Sequence, residues 1–107
     1  MYKIRFWFEW GLDTACLWCD DQITRDHFGV GPINFDKLGL SEDLQNDLRA
    51  LGDEFQDSLD WDYPPDPSPW TQEHKDDFLR RSEEVYHRLV SELGENYEVI
   101  YAVGLPD

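Results

Sequence analysis

The chain opens with Tyr2-Lys-Ile-Arg-Phe-Trp-Phe-Glu-Trp10, in which apolar and polar residues almost strictly alternate. This period of two predicts a β-strand with one apolar face, because successive side chains of a strand point to opposite sides. The residues on that face are Tyr2, Ile4, Phe6, Phe8 and Trp10, opposite Lys3, Arg5 and Glu9. Aromatic side chains also occur on the second face, so we place this strand in the middle of a sheet.

Shorter segments around this strand complete a small sheet. Turn residues at 11–13 separate it from a second extended run over 14–19, which predicts a β-hairpin. A further strand is predicted over 97–103. Residues 22–28 are predicted to form a short helix that has Ile23, His27 and Phe28 at helical spacing and stops at Gly29.

Two longer segments carry the period of an amphipathic helix. Ser41 is a good N-cap, and the apolar residues after it predict a helix over about 42–59. Thr71 is a second N-cap, and a similar stripe predicts another helix that ends at Gly94. The residues expected to be buried are Leu44, Leu48, Leu51, Phe55 and Leu59 on the first helix and Phe78, Ser82, Val85, Leu89 and Leu93 on the second.

The order of these elements predicts an α+β fold. The sequence length, 107 residues, fits a single domain over 1–107. Two long helices that each bury one stripe need a sheet to pack against. We therefore predict a two-layer sandwich in which a three-stranded, mostly antiparallel sheet, made of the β-hairpin and the C-terminal strand, lies on the two long helices.

The chain is strongly acidic and rich in aromatic residues. Asp and Glu number 24 against 9 Lys and Arg, a formal net charge of −15, and 15% of the residues are Phe, Trp or Tyr. The charge repels nucleic acid and anionic membranes, whereas the aromatic content indicates a folded chain. No apolar run approaches the roughly 20 residues of a membrane span. We expect a cytoplasmic protein that binds neither nucleic acid nor a membrane.

The acidic residues concentrate in the middle of the chain. Residues 41–73 hold ten acids against one base, Arg49, which gives −9 of the total. Prolines stiffen the segment 60–70, where aromatic residues alternate with carboxylates, as in many protein interfaces. A solvated surface would explain the charge alone, but we favour an interface for a basic protein. The candidate partner-binding residues are Asp53, Glu54, Asp57, Asp60, Trp61, Asp62, Tyr63, Asp66 and Trp70.

The residues do not form a recognisable catalytic or metal-binding motif. Cys16 and Cys19 match C-x-x-C, but a second pair of ligands is missing and positions three apart on a strand face opposite ways. Three scattered histidines show no nucleophile motif. Asp60 and Asp62 could act as an acid–base pair, although close carboxylates are commonplace in so acidic a chain. We expect no catalytic residue, metal or other cofactor.

Several segments resemble small acidic bacterial proteins, some of which are similar to immunity proteins. The segments are Phe8-Glu-Trp-Gly11, Leu38-Gly-Leu-Ser41, Ser58-Leu-Asp-Trp-Asp-Tyr-Pro-Pro-Asp-Pro-Ser-Pro-Trp70 and Glu92-Leu-Gly94. Those immunity proteins neutralise toxins of polymorphic-toxin or contact-dependent growth-inhibition systems. The resemblance implies a basic toxin partner, with a nuclease domain as the expected class, whose cleft the acidic and aromatic surface would cover.

Three other functions are compatible with the same residues. An acidic protein could mimic nucleic acid and inhibit DNA-binding proteins, although a local patch suits this less than a long track of charge. A small hydrolase could use Asp60 or Asp62 with a histidine. A regulatory subunit of a larger complex could use the same acidic and aromatic surface. The oligomeric state is left open.

Overall fold

The strands and helices occur along the chain in the order that the sequence predicts. A computed structural model describes residues 1–9, 16–29, 32–58 and 69–104. Within these residues the strands are β1 (Tyr2–Phe6), β2 (Leu17–Cys19) and β3 (Tyr97–Tyr101), and the α-helices are α1 (Gln22–Phe28), α2 (Glu42–Gln56) and α3 (Gln72–Leu93). A short 3₁₀ helix spans Phe35–Leu38, before α2. The predicted α+β fold with two long helices is confirmed.

β1 is the central strand of a mixed sheet whose order is β2-β1-β3. It pairs antiparallel with β2, where Ile4 lies opposite Cys19, and parallel with β3, where Ile4 lies opposite Val99. The parallel pair follows from the helices between the strands. α2 and α3 run antiparallel and together return the chain to the end of the sheet where β2 finishes, so β3 starts beside the start of β1. The predicted central place of the first strand is therefore confirmed.

The core lies between one face of the sheet and the two long helices. Ile4 and Phe6 are fully buried on β1, and Phe8, just beyond its end, is 5% exposed. The Phe8 ring contacts both helices, with centroid distances of 5.4 Å to Phe55 and 5.6 Å to Phe78. The sheet and helix layers are thereby joined by aromatic contacts, each of which adds to the burial of apolar area. Trp10 lies outside the described residues.

The helical stripes are buried as predicted. Buried positions on the helices are Leu44, Leu48, Leu51, Gly52 and Phe55 on α2 and Phe78, Ser82, Val85, Leu89 and Leu93 on α3. Ser41 and Thr71 cap the two N-termini through their side-chain oxygens, and Gly94 adopts a positive φ of 78° at the end of α3. The sequence placed the end of the first helix at 59, but α2 ends at Gln56. The amides of Asp57 and Ser58 bond three residues back, to Glu54 and Phe55, which tightens the last turn. Leu59 lies outside the described residues.

The short helix is present, but it buries a different face from the one suggested by its apolar residues. Ile23 is 64% exposed, whereas Thr24 is fully buried. The Thr24 hydroxyl accepts a hydrogen bond of 2.8 Å from the amide of Lys3 and donates one of 2.6 Å to Asp21, the N-cap of α1. A strand amide left beyond the end of β2 needs such a partner when it is buried. That requirement turns Thr24 inward and Ile23 outward.

Candidate functional site

The C-terminal end of α2 carries the described part of the candidate acidic surface. Asp53 and Asp57 are exposed there, and Glu54 is half-buried beside α3. Trp70 lies just before α3, at the same end of the helix pair. The other candidate residues, Asp60, Trp61, Asp62, Tyr63 and Asp66, lie outside the described residues. The structure therefore brings four of the nine together at one end of the two helices.

These carboxylates occupy an electrostatically unfavourable place on α2. The C-terminal end of a helix carries the negative end of its dipole and favours cations. α2 ends on Asp53, Glu54 and the C-cap Asp57, and its last turn has no basic residue. At the N-terminal end, by contrast, Glu42 and Asp43 have the favourable arrangement. Acids at the C-terminal end of a helix reduce the stability of that helix unless other charges compensate them.

Glu54 is held in an ion pair inside the protein. Its carboxylate accepts two hydrogen bonds from the Arg81 guanidinium, at 3.0 Å and 2.5 Å, and lies 3.4 Å from Nε2 of His74. Arg81 also donates a 2.8 Å bond to Asp77, one turn earlier on α3. Partial burial acts to raise the pKa of Glu54, but the bonds and charges of Arg81 and His74 outweigh it and hold that pKa below its ordinary value. Much of the Glu54 charge is thus compensated within the chain.

Trp70 packs against the start of α3. Its ring stacks on His74 with centroids 3.9 Å apart and an interplanar angle of 17°, and it lies 5.2 Å from the ring of Phe78. The side chain is half-buried against the core. Trp70 therefore contributes to packing and leaves part of its surface open beside the acidic end of α2. An aromatic group held in this way loses little freedom on binding a partner.

The sequence pattern did not reveal the residues that organise this end of the molecule. Arg81 and His74 lie 27 and 20 positions away from Glu54. No local motif joins positions so far apart. The sequence indicates only that His74 and Arg81 share a face of α3, because they are seven residues apart. That face points toward α2.

Neither cysteine has the surroundings of a reactive thiol. Cys16 is buried, and burial raises the pKa of its thiol. Burial likewise raises the pKa of the half-buried Cys19 thiol, against the opposing charge of Arg25. Thiolate formation is therefore disfavoured at both positions. The thiolate is the form that attacks electrophiles and binds metals, so these surroundings do not favour either reaction.

The described residues also bear on metal and membrane binding. Across 1–9, 16–29, 32–58 and 69–104, no three His, Cys, Asp or Glu side chains are grouped so as to hold a metal ion. Within the same ranges, each helix is too short or too polar to cross a membrane. Asp60 and Asp62, the carboxylates proposed for acid–base chemistry, lie outside these ranges.

Comparison with known proteins assigns the chain to a family. A search of curated proteins found no significant match. A family model described as Serratia CdiI immunity protein-like matches residues 2–103, nearly the whole sequence and every described strand and helix. This match agrees with the resemblance of several sequence segments to immunity proteins of contact-dependent growth-inhibition systems. The chain belongs to the Serratia CdiI immunity protein-like family.

Proposed function

We propose that this protein neutralises a basic toxin, most simply a nuclease domain, by covering its active-site cleft. The observation that carries the proposal is the placement of Asp53, Glu54 and Asp57 at the C-terminal end of α2, against the helix dipole. Membership of the immunity family supports a toxin partner. The acidic charge supports a basic one, because a cleft that holds phosphates is lined with cations.

Electrostatic attraction would mainly determine how fast the two proteins meet. A chain with a formal charge of −15 attracts a cationic surface over several ångströms, and such steering raises association rates by roughly 10 to 10³. Exposed Asp57 would contribute to this attraction more than Glu54, whose charge Arg81 already compensates. Rim charges of this kind affect association more than dissociation.

Aromatic residues next to the acids would mainly determine how long the complex lasts. Trp70 lies half-buried at the acidic end of α2, fixed by its stacking on His74. Trp61 and Tyr63 belong to the neighbouring segment of the sequence and are proposed as further anchors. Large aromatic side chains that enter pockets of a partner commonly carry much of the binding energy.

Inhibition of this kind needs no chemistry from the immunity protein. We therefore propose a binding protein without enzymatic activity or cofactor. A toxin that cuts nucleic acid acts in the cytoplasm, so this protein would bind it there. A general nucleic-acid mimic is the competing function, and it predicts binding to many DNA-binding proteins rather than to one toxin.

Capture from cells tests the proposed function. The protein serves as bait in cells that express its genomic neighbourhood, and bound proteins are eluted in a salt gradient. We expect one basic polypeptide, released at high salt, that stops growth when expressed alone and permits growth when co-expressed with this chain. Capture of many nucleic-acid-binding proteins without preference would contradict the proposal and favour the mimic.

A further inference from the structure

Two ion pairs clamp α2 to α3 on their exposed side. Asp47 pairs with Arg88, and Glu54 pairs with Arg81. The members on each helix are seven residues apart (54 − 47 and 88 − 81), or about two helical turns. Between the two pairs the helices leave a groove of about 270 Å³.

The groove has an apolar floor and a low wall. Leu51 and Val85, which are 4% and 6% exposed, form the floor. On α2 the wall between Asp47 and Glu54 is Ala50, whose side chain is a single methyl group. On α3 the facing wall is Glu84. The short side chain of Ala50 leaves the groove open to solvent where a longer side chain would cover it.

Glu84 is the acid in this groove that neither clamping arginine binds. Arg81 binds Glu54 and Arg88 binds Asp47. Glu84 is 65% exposed and accepts one 3.0 Å bond from Arg80, which is 60% exposed and also binds Asp77. Ion pairs between exposed, flexible side chains are weak and are readily exchanged for a new partner. A cation that entered the groove could therefore take over the carboxylate of Glu84.

We propose that this groove receives one lysine or arginine side chain of the toxin. Lys and Arg place their methylene groups along apolar surface and keep the charged end in a polar setting. Here the methylenes would contact Ala50, Leu51 and Val85, and the charged end would bind Glu84 in place of Arg80. Glu54 and Asp47 compensate the charges of Arg81 and Arg88, the two cations that line the groove. The volume of about 270 Å³ is at the lower limit of small-molecule pockets, roughly 300–1,000 Å³, and is sufficient for a single side chain.

The groove continues the acidic surface of α2, so the inference rests on the proposed function and makes it more specific. Ala50 is followed on the same side of the helix by Glu54 and Asp57, at spacings of four and three. The cleft-covering surface would thus extend from the end of α2 along its junction with α3. A basic partner that approaches Asp53 and Asp57 would find the groove within about two helical turns.

Two substitutions test the groove without breaking the clamps. Glu84→Gln keeps the shape and removes the charge, and Ala50→Leu fills the opening with a residue that favours helix. Glu83→Gln is the matched control, because Glu83 is the exposed neighbour of Glu84 and does not line the groove. Urea unfolding of each variant establishes that the fold is retained.

The dissociation constant of the purified toxin domain is measured for each variant at one fixed salt concentration. We expect Glu84→Gln and Ala50→Leu each to raise Kd about tenfold or more, and Glu83→Gln to change it less than threefold. Equal effects of Glu84→Gln and Glu83→Gln, or no effect of Ala50→Leu, would overturn the proposal. If Ala50→Leu weakened binding and Glu84→Gln did not, the groove would receive an apolar side chain of the toxin, and the proposal of a basic one would be wrong. Wild-type protein that fails to bind the toxin would contradict the proposed function itself, a separate and recognisable outcome.

Discussion

Arg81 and Glu54 form a two-bond ion pair between α3 and α2, with donor–acceptor distances of 3.0 Å and 2.5 Å. The pair is partly shielded, since the two side chains are 34% and 29% exposed. It joins the acidic end of α2 to the start of α3, where His74 stacks on Trp70. The same carboxylate that contributes to the acidic surface therefore also holds that surface in place.

Loss of the Arg81 guanidinium should destabilise the fold. Arg81→Met keeps the aliphatic part of the side chain and removes both hydrogen bonds to Glu54, at an expected cost of about 1–2 kcal/mol. The measurement is the midpoint of urea unfolding, with the slope m unchanged.

Arg88→Met is the matched control for that change. Arg88 pairs with Asp47 in a more exposed setting, with side chains 42% and 51% exposed. We expect a cost below about 1 kcal/mol, the usual range of surface ion pairs. Equal costs at both positions would mean that the partial burial of the Arg81 pair adds nothing to stability.

Ionisation of Glu54 should make the free energy of unfolding depend on pH at acidic pH. Partial burial acts against the charged form, but Arg81 and His74 hold the pKa of Glu54 below its value in the unfolded chain. The unfolded state therefore takes up the proton first as the pH falls. The stabilisation from Glu54 is complete above its unfolded pKa, about 4.3, and disappears as the pH drops through the lower folded value.

The Glu54→Gln variant isolates this effect from the many other carboxylates. Unfolding free energies of the wild type and the variant are compared between about pH 2.5 and pH 7. We expect the wild type to be more stable at pH 7 and the difference to shrink below about pH 4.3. A difference that stays constant over this range would show that ionisation of Glu54 does not stabilise the fold.

Thr24 should matter more to stability than its larger neighbour. Thr24→Val preserves the shape and leaves the partly buried amide of Lys3 without its acceptor, at an expected cost of about 1–3 kcal/mol. Ile23→Ser removes a large apolar side chain that is 64% exposed and should change stability by less than about 0.5 kcal/mol. Thermal or urea unfolding of both variants checks the order, and the reverse order would contradict the described packing of α1.

Removal of exposed charge from α2 should slow binding without unfolding the protein. The double variant Asp53→Asn, Asp57→Asn should reduce the association rate constant with the toxin domain about threefold or more at low salt. Urea unfolding of the double variant establishes that the fold is retained. Asp36→Asn with Glu95→Gln removes two exposed acids that lie outside α2 and should slow association less.

Local patterns in the sequence were sufficient for the helices and the central strand. The leucine stripes of α2 and α3 and the caps Ser41 and Thr71 are local features, and the structure has them as predicted. The pairing of Glu54 with Arg81 is not local, since it depends on how α2 lies against α3. The buried face of α1 could not be predicted from the spacing of Ile23, His27 and Phe28, because it depends on the amide of Lys3, which takes Thr24 as its acceptor. The family, by contrast, was recognisable from short segments.

The measurement that tests the central claim most directly is the association rate of this protein with its toxin domain as a function of ionic strength. Stopped-flow mixing at salt concentrations from about 0.05 to 0.5 M would cover the range over which screening shortens the reach of surface charge. If an acidic surface covers a basic cleft, the rate constant will fall at least tenfold across this range, and the Asp53→Asn, Asp57→Asn variant will show a shallower dependence. A rate constant that is independent of salt, in the wild type and the variant alike, would contradict electrostatic capture of a basic toxin.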